Sequence, residues 1–488
     1  MFEYGSQRKK VSHFFSEHAS TVIFLGIIFL VLIFSVSTLV TKPRLWTDEA
    51  VSIDIAKSFI TYGSLSPEIA PGIVYPFPHL IQSTGYPLTV SLAAVFKIFG
   101  YGLYQARIFM LVWMLGALFA LFYFGRKIFD DRTTCSALLL IASFASFYGS
   151  GRTVVGEIPG FVFLLVGLYF FAVRERFLWS GFFLGLAIVT KPSVFGLLIP
   201  VLFLALFFER GRFLEFFRKL LVIVSGMALP ALGWLFFAVE KPFTLSTWES
   251  VVNFYKNPYS SSIQENVVSN ILGISHSTTL IYFGGLFLLV GFARFLAPNA
   301  RLKFLYNFVL IYGVFAFLYY LRSPGWLRYI LIAELLILFV LPNSIETVLR
   351  WLRGRFAGFS FEPKNLAVLF IVALVSVQTV QMFTVSDIFY SDAGLQTAGY
   401  VNEHFPDKSV SLFNALDVSV LVETSRRYNT FELTGLPLFG DNALLGNDLP
   451  DIVVAHPGDR FLKEGQDVLD SSYRSDATVG GYAIYAKK

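Results

Sequence analysis

Long apolar runs dominate the chain from residue 20 to residue 386. A bilayer core about 30 Å thick is crossed by roughly 20 helical residues, each rising about 1.5 Å. Runs of that order occur at 20–41, 104–125, 133–150, 154–173, 178–191, 193–208, 220–239, 278–296, 304–321, 326–342 and 365–386, eleven in all. Backbone amides find no water in lipid and must bond within their own segment, so these runs are expected to be helices. Only 15% of the residues are charged and 55% are hydrophobic. Soluble domains run near 25% charged, so a water-soluble globule is excluded. The fifth and sixth runs are short and meet at Lys191-Pro192, which predicts two half-depth or steeply packed helices rather than ordinary spans.

The formal charge is +5, from 38 Lys and Arg against 33 Asp and Glu. Its placement matters more than its size. With the N-terminus inside, one face collects Arg8, Lys9 and Lys10; Arg126, Lys127 and Arg132; Arg174 and Arg176; Arg210, Arg212, Arg218 and Lys219; Arg294, Arg301 and Lys303; and Arg350, Arg353, Arg355 and Lys364. The opposite face has fewer basic residues, spread over longer loops. This bias predicts a multi-pass plasma-membrane protein with its N-terminus in the cytoplasm. The basic excess therefore reads as topology, and no nucleic-acid partner is expected. The first run is too long for the core of a signal peptide and no small-residue cleavage site follows it, so it is read as a retained helix. The single cysteine, Cys135, rules out intramolecular disulfides and cysteine-based metal centres.

The expected fold is a polytopic α-helical membrane protein of about eleven helices with a C-terminal extracytoplasmic α/β domain. Residues 1–19 form the cytoplasmic N-terminus and residues 20–387 the membrane domain. Within it, 42–103 is a first outer loop with juxtamembrane helices and 240–277 a second outer loop. Residues 388–488 change character. Apolar residues alternate in Ser409 to Phe413, Asp451 to Ala455 and Tyr482 to Tyr485, between Gly, Pro, Asn and Asp punctuation, and Ala393 to His404 reads as a helix. A separable soluble domain is expected.

Ionisable residues near the outer face are scarce, which makes each one informative. Arg44-Leu45-Trp46-Thr47-Asp48-Glu49-Ala50 opens the first outer loop. Asp48 stands where an N-cap would, Gly63 where a C′ residue would, and Val51, Ile55, Ala56 and Phe59 share one face. One reading is a helix lying on the membrane with an acidic first turn. Glu157 lies about one turn inside the boundary, where a charge is costly unless it faces a polar cavity or pairs with Arg152. Lys191 and Arg328 sit at the same interface and either snorkel to lipid headgroups or neutralise a phosphate. Glu334 falls about two turns inside the tenth run, and His79 and His276 lie in outer loops. Two carboxylates beside cations suit base catalysis or oxygen-only binding of a divalent ion.

In this order, Trp46-Thr47-Asp48-Glu49-Ala50, Gly85-Tyr86-Pro87-Leu88, Gly102 to Arg107, Gly185 to Lys191 and Arg328-Tyr329 resemble the GT-C glycosyltransferases that use polyprenyl-phosphate sugars. The similarity is to the branch of the protein O-mannosyltransferases and the aminoarabinose transferase, over roughly residues 20 to 345. The resemblance implies catalytic roles for Asp48, with Glu49 beside it, and for Glu157. Where relatives usually have Asp at the second acid this chain has Glu, and Leu331 to Leu335 with Glu334 replace the prolines that tend to follow Arg-Tyr.

The expected activity is transfer of one sugar, a hexose or pentose, from a polyprenyl-phosphate donor to a lipid, glycan or protein hydroxyl at the outer face. Arg44, Lys57, Lys191, Arg328 and Tyr329 are the candidates for binding lipid phosphate and substrate. This reading fixes no cofactor and leaves room for a divalent ion, which would rest on Asp48, Glu157 and His79. The rival readings are a lipid or sugar transporter and an anchored receptor. A carrier usually shows duplicated halves, which are absent from the sequence, and an anchor needs far fewer spans.

Overall fold

The computed structural model describes residues 3–76, 83–208, 213–239, 242–257, 261–356, 362–388, 391–430, 449–456 and 463–488. The apolar runs are largely helical, with breaks at 37–41, 143–144, 154–156 and 196–197. Among the described residues, seven helices are long and apolar enough to cross a bilayer: Ala19–Val36, Leu103–Ile128, Leu214–Ala238, Thr278–Leu296, Ala300–Arg322, Leu331–Arg355 and Pro363–Thr384. Asp131–Ala142 and Ala145–Arg152 give an eighth if counted as one span broken by a 68° bend. Glu157–Ala172, Phe177–Thr190 and Pro192–Phe207 are apolar but shorter. The protein is therefore a multi-pass membrane protein in which some apolar runs build the interior rather than full-length spans.

Two boundaries differ from the sequence expectation. The helix that ends the bent pair runs on to Arg152, past the end of the third apolar run. The tenth run starts later and ends later than its hydropathy suggests: Leu327–Tyr329 make a single 3-10 turn and the helix proper is Leu331–Arg355. Glu334 thus stands in the first helical turn instead of two turns inside.

The Thr47–Tyr62 helix also departs from expectation. Its N-cap is Trp46, whose side chain makes no capping bond, and Asp48 lies in the first turn. Gly63 does end the helix, with φ of 70° and its amide donating to the Phe59 carbonyl oxygen. This is a left-handed conformation that glycine adopts without penalty. Residues 49–56 and Ser58 are all buried, so the helix does not lie on a surface. Its apolar side packs with Leu88, Leu92 and Phe96 of the Tyr86–Phe99 helix, and Leu416 and Val420 of the C-terminal domain join the same cluster.

The C-terminal region holds a sheet of five strands among the described residues. They are β3 (Val410–Phe413), β4 (Arg427–Thr430), β5 (Ile452–Ala455), β6 (Tyr473–Val479) and β7 (Tyr482–Lys487), after the short antiparallel pair β1 (Glu68–Ala70) and β2 (Ile73–Val74) in the first loop. Their order is β4-β3-β5-β7-β6, with β4, β3 and β5 parallel and β7 antiparallel to both its neighbours. The Ala393–His404 helix contributes Ala398 and Val401 to the core beside Val410, Leu412, Ile452, Val454 and Ile484.

Candidate active site

Four ionisable side chains from four separate elements converge at the end of the bundle that carries the C-terminal sheet. Arg328, on the 3-10 turn, donates from Nη1 to Asp48 Oδ2 at 2.6 Å. Glu157 opens the Glu157–Ala172 helix, and its Oε1 lies 3.9 Å from Lys191 Nζ. The two pairs feel one another: Lys191 acts electrostatically on Asp48, and Glu157 acts on Arg328. Arg152, the other candidate partner of Glu157, instead donates to Thr38 Oγ1 at 2.7 Å.

Lys191 is placed by the break in its own helix. Phe177–Thr190 ends there, Pro192 starts the next turn without needing an amide donor, and the Lys191 carbonyl accepts from Val194 and Phe195. Two glycines let other segments close on this corner. A Cβ at Gly85 would lie 1.7 Å from the Val189 carbonyl oxygen, and one at Gly156 would lie 2.6 Å from that of Thr190 and 3.0 Å from Lys191 Cβ. The Gly85 amide donates to the Thr190 carbonyl oxygen at 2.9 Å. The Gly85-Tyr86-Pro87-Leu88 element is thus a contact surface for the Lys191 corner.

The Arg328 guanidinium carbon lies over three aromatic rings, 4.6 Å from the centroid of Trp46, 4.7 Å from that of Trp326 and 5.5 Å from that of Tyr329. Such contacts favour a cation. Burial pushes the Asp48 carboxyl up, but the charges of Arg328 and Lys191 and the Arg328 hydrogen bond outweigh it, so its pKa is held below the ordinary value. Burial likewise disfavours the Arg328 charge, yet Asp48 and Glu157 raise its pKa and keep it a cation.

The site is graded in depth. Asp48 and Arg328 side chains are 27% and 15% exposed, whereas Glu157 and Lys191 are 1% and 2%. Neither Glu157 carboxylate oxygen, nor Arg328 Nε, has a hydrogen-bond partner among the described residues. Buried polar atoms without partners are costly, and such a group points to a ligand that completes it.

The other sequence candidates fall elsewhere. Glu49 faces away from Asp48, is fully buried, and accepts from Arg107 Nε at 2.9 Å and Nη2 at 2.7 Å. Arg107 also donates to the carbonyls of Leu39 and Val40, and the Val154 amide reaches Glu49 at 3.3 Å. Glu49 is committed to this bidentate pair, so its geometry is that of a brace. Lys57 lies 4.0 Å from Glu68 and over the Tyr101 ring, in a separate cluster. Arg44 is exposed and acts on Asp417 of the C-terminal domain. Tyr329 is buried against Tyr319, with ring centroids 4.9 Å apart. Glu334 is buried with Oε1 unpartnered among the described residues. His79 lies outside the described residues, and His276 sits exposed on a single 3-10 turn.

No three His, Cys, Asp or Glu side chains gather for a metal ion among the described residues. Asp48 and Glu157 each face a cation, and His79, the third ligand proposed from the sequence, lies outside the described residues. Sequence reasoning missed Arg107 as the partner of Glu49. The signal was present, because an arginine four residues into the Leu103–Ile128 apolar helix demands a buried anion. It also missed the two tryptophans whose rings pack on Arg328, for which no local pattern exists.

Residues 88–234, which include Arg107, Glu157 and Lys191, match a family model described as dolichyl-phosphate-mannose-protein mannosyltransferase. No curated protein matches the sequence. Among solved structures, ArnT from Cupriavidus metallidurans bound to undecaprenyl phosphate is similar with a TM-score of 0.65 at 13% identity, over 96% of this chain and 98% of that one. Its apo form gives 0.62 at 14% identity over the same shares. An Archaeoglobus fulgidus oligosaccharyltransferase in the apo form gives 0.58 at 12% identity, over 85% of this chain and 64% of its own. The family match covers less than half of the chain, and the likeness in fold to these structures extends along nearly the whole of it.

Proposed function

We propose that this protein transfers one sugar, a hexose or a pentose, from a polyprenyl-phosphate donor to a hydroxyl of a lipid, glycan or protein acceptor, with inversion at the anomeric carbon. The observation that carries this reading is the convergence of Asp48, Arg328, Glu157 and Lys191 with unpartnered atoms on Glu157 and Arg328. A lipid phosphate at the interface needs cations, and Arg328 and Lys191 are fixed there before it arrives. The matched family segment and the undecaprenyl phosphate bound to ArnT support the donor class. The distribution of Lys and Arg supports placing this end of the bundle outside the cytoplasm.

Asp48 is the more exposed of the two acids, and its Oδ1 makes no hydrogen bond to a described residue. It is placed to meet an acceptor hydroxyl arriving from water. The hydroxyl oxygen attacks the anomeric carbon while Asp48 takes its proton. The bond from that carbon to the phosphate oxygen breaks, and the electron pair leaves with the lipid phosphate. Arg328 and Lys191 offset the charge that grows on this oxygen, which contributes more than a general acid would for so good a leaving group. Glu157 holds Lys191 and Arg328 in place and completes its own hydrogen bonds with the bound sugar. The test is transfer of a labelled sugar from a polyprenyl-phosphate donor by purified wild type and Asp48→Asn; equal rates would sink the role given to Asp48.

A further inference from the structure

A second group of charges lies on another face of the helix that carries Asp48. Asp54 is six residues beyond Asp48, about 9 Å along the axis and roughly 120° around it. Arg427, on β4 of the C-terminal domain, reaches across with Nη2 3.5 Å from both Asp54 Oδ1 and Glu68 Oε2. Its Nη1 donates to the Ser419 carbonyl oxygen. The Glu68 amide donates to Asp54 Oδ2 at 2.8 Å, and Asn429 Nδ2, two residues along β4, donates to the Glu68 carbonyl oxygen at 2.8 Å. Tyr62 donates its hydroxyl to Glu68 Oε1, Lys57 flanks Glu68, and Tyr101 donates to the Val420 carbonyl oxygen at 3.3 Å. Arg427, Asp54 and Asn429 are all at most 3% exposed.

Burial raises the Asp54 pKa above its ordinary value, and the Arg427 and Lys57 charges oppose that rise without cancelling it. The contact is thus specific in charge as well as shape. It joins a domain more than 350 residues away in sequence to the element that presents Asp48. We propose that Arg427 is a positioning residue, through which the C-terminal domain holds the Thr47–Tyr62 helix so that Asp48 meets Arg328. This rests on the transferase reading above. Asp48 is linked to Arg328 by a single hydrogen bond, so a small rotation of its helix would spoil the geometry at the reacting atoms while the Arg328–Lys191 phosphate site stays intact.

The experiment uses the full chain in lipid nanodiscs, with Arg427→Ala and Arg427→Lys beside wild type. For Arg427→Ala, kcat should fall about 10- to 100-fold, as a misplacement near 1 Å does. Affinity for undecaprenyl phosphate alone should stay near wild type, and Arg427→Lys, which keeps the charge, should recover most of kcat. A merely structural role predicts parallel loss of kcat and phosphate affinity, and that result, or an unchanged kcat, overturns the proposal. A second measurement does not need catalysis. Spin labels at Thr61 and Tyr104, in a Cys135→Ser background, should show a shifted or broadened distance in Arg427→Ala; an unchanged distribution also overturns it. Should wild type transfer no sugar, the transferase reading fails and the label distance alone decides whether Arg427 fixes the helix. Should Arg427→Ala not fold, Arg427→Gln, which removes the charge but keeps a donor, takes its place, with the same losses expected and the same results overturning the proposal.

Discussion

Two faces of the Thr47–Tyr62 helix carry two charge quartets of the same composition and opposite character. On one side Asp48 and Glu157 face Arg328 and Lys191; on the other Asp54 and Glu68 face Arg427 and Lys57. The second is closed by polar partners, among them Tyr62 at the end of the helix, Ser419 in the C-terminal region and Asn429 on β4. The first is partly open and leaves Glu157 and Arg328 atoms without partners. Composition alone does not tell a site from a strut. What separates them is whether the protein itself completes the hydrogen bonds, since only an incomplete set has something to offer a ligand. The Glu49–Arg107 pair is the extreme of the closed kind, with both side chains inaccessible.

The comparison breaks most easily at that extreme. Arg107→Ala leaves Glu49 buried without its cation and should cost about 3–5 kcal/mol of stability, seen as a large fall in the thermal midpoint or in the yield of folded protein. Glu49→Gln should destabilise for the same reason. If either variant kept its stability and lost only activity, Glu49 would belong to the open site. Next in size, Asp48→Asn should lower transfer by about 100-fold, the usual loss of a general base, with the melting temperature close to wild type. A loss of stability in place of activity would move Asp48 into the closed class.

Lys191→Ala and Arg328→Ala should each weaken binding of undecaprenyl phosphate by roughly 10-fold or more, the worth of one charged hydrogen bond. Unchanged affinity in both would show that these cations serve the protein and not a phosphate. The smallest effect is a pH dependence. Asp48 has a depressed pKa when folded, so its contribution is present above the unfolded value of about 3.9 and is lost as pH falls through the lower folded value. The pair is partly exposed, so the gap between wild type and Asp48→Asn should be no more than about 1 kcal/mol. Unfolding curves from neutral to acid pH should show that gap closing on the acid side; a gap that widens there would reverse the assigned sign.

Much of this architecture is written locally. Hydropathy over windows of bilayer length identifies the helices, the Lys191-Pro192 dipeptide marks the break that the structure places there, and alternation finds β3, β5 and β7. Alternation does not find β4, whose Arg427-Tyr428-Asn429-Thr430 is polar because it docks on Glu68 instead of facing an apolar core. Nor does hydropathy measure depth: residues 157–207 are apolar enough for spans, yet they form shorter helices and, around Glu157 and Lys191, the buried floor of the site.

Asp48, Glu157, Lys191 and Arg328 were legible as candidates because an ionised group beside lipid needs a reason to be there. Their pairing was not. Asp48 and Arg328 are 280 positions apart, and the same stretch of sequence offered Glu49, Arg44 and Lys57 as equal alternatives. Those residues differ only in the direction each side chain takes from its helix and in what the rest of the fold sets opposite it. Local periodicity encodes which face of an element is apolar. Which acid meets which cation depends on how elements distant in sequence pack together, and only the tertiary structure decides that.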